Sequence, residues 1–330
     1  MGETSYFGAV TDENGNLSRA SSEILKSGEA EAAVGLDANG SVLRSAAVSG
    51  QVCIKPTYGT VSRFGTVSVA CSGETVCVSS LTVDGARNVL DCIVGHDDKD
   101  GTSLSEDKCA LLKKGAEFNS IKKVAIAASL VNSCDAAVKA KIDAVVEILE
   151  KNGICVEAVD DSLLLCAKTA WNVLMSAELC NNVSRYDGIK YGYRSKNYTN
   201  IDELYTNSRT EAFGELLKMT VLFGSESLST ENYMPVYDKS LRIRRLICEK
   251  FAEIFESFGA ILMPVCSKAS YTETDVKENK YISFDESTYT APAFISGLPA
   301  VVVGGVQLVG SAFSENALCE LAKMIEKEGR

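Results

Sequence analysis

The run Val124-Ala125-Ile126-Ala127-Ala128, then Ile142, Val145, Val146 and Leu149, then Ile154-Cys155-Val156-Glu157-Ala158-Val159, decides the fold class. The outer runs are short and apolar, as buried strands are, while the middle positions recur at i, i+3, i+4 and i+7 and form one face of a helix. Asp135 stands where an N-cap accepts the helix's first free N–H groups, and Gly153 where a residue of left-handed backbone stops it. Strand, helix and strand in that order predict a right-handed crossover between strands of one parallel or mixed sheet, and so an α/β protein.

Outward from this unit the pattern recurs. Ile243, Leu246, Ile247, Phe251, Ile254, Phe255 and Phe258 line a second helix, Gly259 ends it, and Ala260 to Val265 reads as a buried strand. Strands follow around Ala300 to Val309, and a last helix carries Leu318, Leu321 and Ile325. Helical stretches from Ala167 to Phe223 are interrupted by the Tyr-rich segment Arg185 to Arg194. With no Pro/Gly/Ser linker, repeat or charge block, residues 1–330 read as a single domain.

Composition narrows the function. A chain of 330 residues, 46% hydrophobic and 23% charged, can bury a full core. Its net charge of −11 and isoelectric point near 4.8 exclude a surface that neutralises phosphates, so no direct nucleic-acid binding is expected. The 12 cysteines form no Cys-x-x-Cys pair and no signal-peptide pattern opens the chain, which predicts free thiols and a cytoplasmic location. The longest apolar runs, Ala260 to Val265 and Pro299 to Val303, are too short to span a bilayer. His96 is the only histidine, so Ser-His-Asp chemistry would depend on it and a multi-histidine metal site is excluded. It lies in the polar run Gly95 to Asp100 and reads as a solvated turn residue.

The stretch that carries chemistry is Gly35-Leu36-Asp37-Ala38-Asn39-Gly40-Ser41, followed by Lys55-Pro56-Thr57-Tyr58-Gly59-Thr60-Val61-Ser62-Arg63-Phe64-Gly65. Small residues let backbone approach backbone, and such a turn holds a small polar or anionic group. The two blocks resemble the amidase signature, Gly-Ser-Asp-Thr-Gly-Gly-Ser-Ile-Arg continuing into Lys-Pro-Thr-Tyr-Gly-Arg-Val-Ser-Arg, with the spacing kept. Gly95 to Asp100, Arg185 to Arg194, Glu211 to Glu215, Tyr237 to Ile247, Tyr289-Thr290-Ala291-Pro292 and Gly297-Leu298-Pro299-Ala300 are similar to blocks of one branch of that family, the A subunits of glutamyl-tRNA(Gln)/aspartyl-tRNA(Asn) amidotransferases.

That resemblance implies an α/β/α fold, a mixed β-sheet core covered by helices on both faces, without the family's N-terminal part. It implies glutamine amidohydrolysis in tRNA-dependent formation of Gln and Asn, with no cofactor and no metal, beside partners like subunits B and C. Ser41 matches the nucleophile, and Asp37, Ala38, Asn39 and Gly40 match the oxyanion loop, whose N–H groups would stabilise the developing charge. Arg244 matches the arginine for the substrate carboxylate, Tyr191 or Tyr193 the pocket tyrosine, and Ser287 stands where an acidic residue would hold the substrate ammonium.

Several positions depart from the family pattern. The catalytic lysine of the family precedes a Met-Gly-Ser-Ser-Thr-Glu block that reads here as Met1-Gly2-Glu3-Thr4-Ser5. The serine-bearing Gly-rich loop that follows Leu-Ser-Arg in the family reads here, after Leu17-Ser18-Arg19, as Ala20-Ser21-Ser22-Glu23-Ile24-Leu25-Lys26-Ser27. Ser21 or Ser22 could be a remnant of the bridging serine, and Lys26 a substitute base. The family's Thr and Gly in the turn are Ala38 and Asn39, its arginine becomes Leu43 with Arg44 one residue on, and a later loop is cut to Gly304-Gly305-Val306-Gln307.

These departures predict a catalytically impaired paralogue, a pseudoenzyme acting as scaffold or interaction subunit. Two alternatives stay open: an active amidotransferase of the A-subunit type whose start lies upstream, and a non-hydrolytic binder of a small amide or amino acid. Loss of the family's N-terminal part also predicts self-association or instability, through apolar surface left uncovered.

Overall fold

The computed structural model describes residues 8–113 and 119–329, so the Met1 to Ser5 block lies outside the described residues. Eight strands form one mixed sheet: β1 (Ala32–Asp37), β2 (Val52–Lys55), β3 (Thr75–Ser80), β4 (Lys123–Ala127), β5 (Cys155–Val159), β6 (Ala260–Pro264), β7 (Ala300–Val303) and β8 (Val306–Gly310). Their spatial order is β1-β3-β2-β7-β8-β6-β4-β5. The pairs from β1 to β6 are antiparallel, whereas β4 runs parallel to both β6 and β5.

The parallel end is the strand-helix-strand unit expected from sequence. Asp135 accepts from the Val138 N–H at 2.8 Å and starts the helix Ala136–Lys151, which buries Ile142, Val145 and Leu149. Gly153 follows that helix at φ +75°, and the next strand pairs β4 residue for residue from Lys123 with Cys155 to Ala127 with Val159. The helix Lys239–Ser257 precedes β6 in the same way, and Glu315–Glu328 buries Leu318, Leu321 and Ile325.

Burial on both sides of the inner strands explains why their sequences are apolar without alternation. Val52, Ile54, Val76, Val78, Val301 and Leu308 join one hydrophobic core with the helices Val83–Ile93, Ala136–Lys151 and Glu315–Glu328. Cys53, Lys55, Cys77 and Val302 alternate with them along the strands and are equally buried.

The shortened Gly304-Gly305 segment is a two-residue hairpin. Both glycines have positive φ, +60° and +79°, which matches the turn whose twist suits the flanking strands β7 and β8.

Where the sequence reading kept 1–330 as one domain, the backbone contacts divide the chain into two compact units. The larger comprises Met1–Thr66, Gly73–Lys168 and Arg244–Arg330 and holds the whole sheet. The smaller comprises Val67–Ser72 and Thr169–Ile243 and contains the helices Ile201–Ala212 and Glu215–Ser227. Within it Cys71 Sγ and the Ser72 N–H both donate to Glu178 Oε1, at 2.8 and 3.1 Å, tying the short excursion to its main segment.

One helical stretch among the described residues, Ser162–Arg185, is long and apolar enough to cross a membrane, which the sequence reading did not find. Ala167, Ala170, Trp171, Val173, Leu174 and Ala177 along it are buried inside the protein, as in a core helix. The twelve cysteines are free.

Candidate functional site

The site is built at the end of β1. That strand delivers Asp37, the turn Ala38-Asn39-Gly40 reverses the chain, and the helix Ser41–Val48 starts at Ser41 itself. Gly40 is the N-cap, at φ +82°, and a Cβ there would stand 2.3 Å from Thr290. Both the backbone conformation and the close approach therefore require glycine.

The Asp37 carboxylate is buried and takes up the donors of this helix start. Its Oδ1 accepts from the N–H groups of Asn39 at 3.1 Å and Ser41 at 2.9 Å, and its Oδ2 from Val42 at 2.7 Å and more distantly Leu43 at 3.4 Å. The first N–H groups of a helix have no partner within it, and a carboxylate a few residues upstream satisfies them as an external anion would.

Ser41 Oγ lies 3.4 Å from Asp37 Oδ1 and accepts a hydrogen bond from Arg19 Nη1 at 3.0 Å. Arg19 precedes the helix Ala20–Ser27, so the chain brings a guanidinium, rather than an amine, to the serine. A guanidinium keeps its protons at any ordinary pH and cannot serve as a base.

Behind the turn a second arginine braces it. Arg44 is buried, and its Nη1 donates to the Asn39 carbonyl at 2.6 Å and to Thr290 Oγ1 at 3.0 Å, while Thr290 Oγ1 donates to the same carbonyl at 3.0 Å. Arg44 Nε and Asn39 Oδ1 are buried without a hydrogen-bond partner among the described residues. The arginine displaced by one residue in sequence thus supports the turn from behind.

The remaining sequence candidates are placed as follows. Ser22 Oγ lies 2.9 Å from Ser45 Oγ, one helical turn past Ser41, and Lys26 pairs with Glu23 at 3.2 Å near the exposed end of its helix. Ser287 is fully buried and its hydroxyl donates to the Phe284 carbonyl at 2.6 Å, within its own helical region. Arg244 is half-buried in the larger unit. Tyr191 and Tyr193 are exposed in the smaller one, where Tyr193 Oη donates to Glu211 Oε2 at 2.6 Å. The His96 ring contacts the Leu104 carbonyl and Asp98, each at 2.9 Å; the hydrogen bond to Asp98 is the main cause that raises its pKa.

One group that sequence reasoning passed over is Lys55, from the second signature block. It is fully buried, donates to the Leu298 carbonyl at 2.7 Å and stands 5.0 Å from the centre of the Phe294 ring. Burial pushes its pKa down to about 8, against the opposing pull of Cys77, Glu315 and Asp37. Glu315, whose own pKa burial raises, accepts from the Thr57 N–H at 2.6 Å. Arg19 and Arg44 were visible as residues, but their contacts span the chain and left no local signal.

A serine that opens a helix, reached by a tight turn from an edge strand of a mixed sheet, defines the class as an α/β protein with a serine-bearing strand-to-helix turn. The amidase family profile matches residues 23–319, and the chain belongs to that family. The A subunit of glutamyl-tRNA(Gln) amidotransferase from Latilactobacillus sakei is 34% identical over 316 residues, covering 92% of this chain and 64% of that protein. Its counterpart from Streptococcus pneumoniae (strain Hungary19A-6) is 31% identical over 98% of this chain and 70% of its own length. The crystal structure of the glutamyl-tRNA(Gln) amidotransferase A subunit from Thermotoga maritima superposes with a TM-score of 0.77 at 24% identity, covering 98% of this chain and 70% of that one. The Kluyveromyces lactis urea amidolyase superposes at 0.82 with 20% identity, over 98% of this chain and 19% of the larger protein. This chain thus spans about two thirds of the length of the curated relatives it matches.

Proposed function

We propose that this chain is a cytoplasmic protein of the amidotransferase A-subunit type that is catalytically impaired and acts as a scaffold or interaction subunit beside partners resembling subunits B and C. The observation that carries the reading is the environment of Ser41. Its hydroxyl is hydrogen-bonded by Arg19, which cannot accept a proton, and two N–H groups of the turn are already spent on Asp37. Nucleophilic attack needs a base for the hydroxyl proton and free donors for the oxyanion. Ser287, buried with its hydroxyl turned to a carbonyl, supplies no charge for a substrate ammonium.

An aryl fluorophosphonate reports on serine activation directly, because only an activated hydroxyl displaces fluoride. Intact-mass analysis of the purified chain should show no adduct after prolonged exposure. An adduct present in the native chain and absent from Ser41→Ala would overturn the impaired reading.

A further inference from the structure

The smaller unit contains a cavity of about 350 Å³ that has no part in the serine turn. Three helical segments form it: the end of Ala167–Asn182 with Val183 and Ser184 beyond it, the last turn of Ile201–Ala212 with Phe213, and the middle of Glu215–Ser227. Val183, Phe213 and Val221 give it an apolar wall, and Leu222, 71% exposed, stands at its mouth. Beside the buried Val183 and the partly buried Phe213 and Val221 it extends the apolar wall of the cavity to the surface.

The charged part of the lining is cationic, Arg209 and Lys218, beside the neutral Ser184 and Thr210. Arg209 is fixed by donating Nη2 to the Ser184 carbonyl at 2.6 Å and Nε to the Tyr186 carbonyl at 3.4 Å, and Lys218 by donating to the Thr210 carbonyl at 2.7 Å. Carbonyls orient these groups without neutralising them. Neither cation has a carboxylate partner among the described residues, and Glu211, two residues after Arg209, spends its oxygens on Tyr193 and Ser195. Two oriented cations facing the same apolar cavity make a local positive field that favours an anion.

We propose that this cavity binds a small apolar carboxylate, with the hydrocarbon against Phe213, Val221 and Leu222 and the carboxylate between Arg209 and Lys218. The volume falls within the range of small-molecule pockets, and apolar walls with a few placed polar groups are their usual lining. A guanidinium and an ammonium together favour a carboxylate over an alcohol of the same length. The proposal is independent of the state of Ser41.

Isothermal titration of the full chain with octanoate, 1-octanol and octyltrimethylammonium separates charge from apolar burial. Octanoate should bind once per chain, with octanol at least about tenfold weaker and the cation without measurable binding. Lys218→Gln, at an exposed position, should weaken octanoate about tenfold and leave octanol unchanged, and Leu222→Asp should abolish octanoate binding with the thermal melt retained. Equal affinities for octanoate and octanol, an unchanged octanoate affinity in Lys218→Gln, or no octanoate binding at millimolar concentration would each overturn the proposal.

Discussion

At the residue scale, the side chains that characterise this protein are charged groups placed where the chain can least spare them. Asp37 is held by backbone donors and Arg44 by a carbonyl and a hydroxyl, whereas Lys55 is buried with two carbonyls and an aromatic face as its neighbours. Its pKa, near 8 in the folded chain, lies below the value near 10.5 of an unfolded lysine. Between those two values the unfolded state binds more protons, so stability rises with pH across that window; below it both states are charged and the full burial penalty stands. Comparing native chain with Lys55→Met by urea unfolding from about pH 7 to about pH 10.5 should show the native chain gaining on the variant from about pH 8 upward. The limiting slope is about 1.4 kcal/mol per pH unit. A difference independent of pH would show that burial does not lower the Lys55 pKa.

At the element scale, the sequence was informative where regularity is local. The spacing of Ile142, Val145 and Leu149, bracketed by Asp135 and Gly153, defined helix, cap and stop together because each depends on residues within a few positions. The serine turn was legible through its resemblance to a signature. Its support was not: Thr290 meets Asn39 across 251 residues, and Arg19 reaches Ser41 across 22, with no periodicity to announce either contact. Nor did the sequence separate the two units, since the boundaries at Thr169 and Ile243 fall inside the helices Ala167–Asn182 and Lys239–Ser257 rather than in a linker of distinctive composition. The β7–β8 hairpin provides a test at this scale. Gly304 and Gly305 both have positive φ. Asparagine tolerates that conformation and a β-branched residue does not. Gly304→Asn should remain within about 0.5 kcal/mol of the native chain and Gly304→Val should lose at least about 1–2 kcal/mol, read from urea midpoints. Equal losses would mean that the turn is not of this type.

At the scale of the whole molecule, the sheet ends in β1 and β5, and the strand that carries the serine turn is itself an edge. The outer side of β1 pairs with no strand among the described residues, and Val34 in its middle is 55% exposed. Open edges are where a further strand or another chain can add. The state proposed for this chain is an amidase architecture retained without amide hydrolysis. Ammonia release from glutamine and asparagine tests it most directly, with the chain assayed alone and with the B and C subunits of a relative, beside Ser41→Ala. Release no greater than from Ser41→Ala is expected, with the added subunits still co-purifying; release that depends on the Ser41 hydroxyl would show a working site.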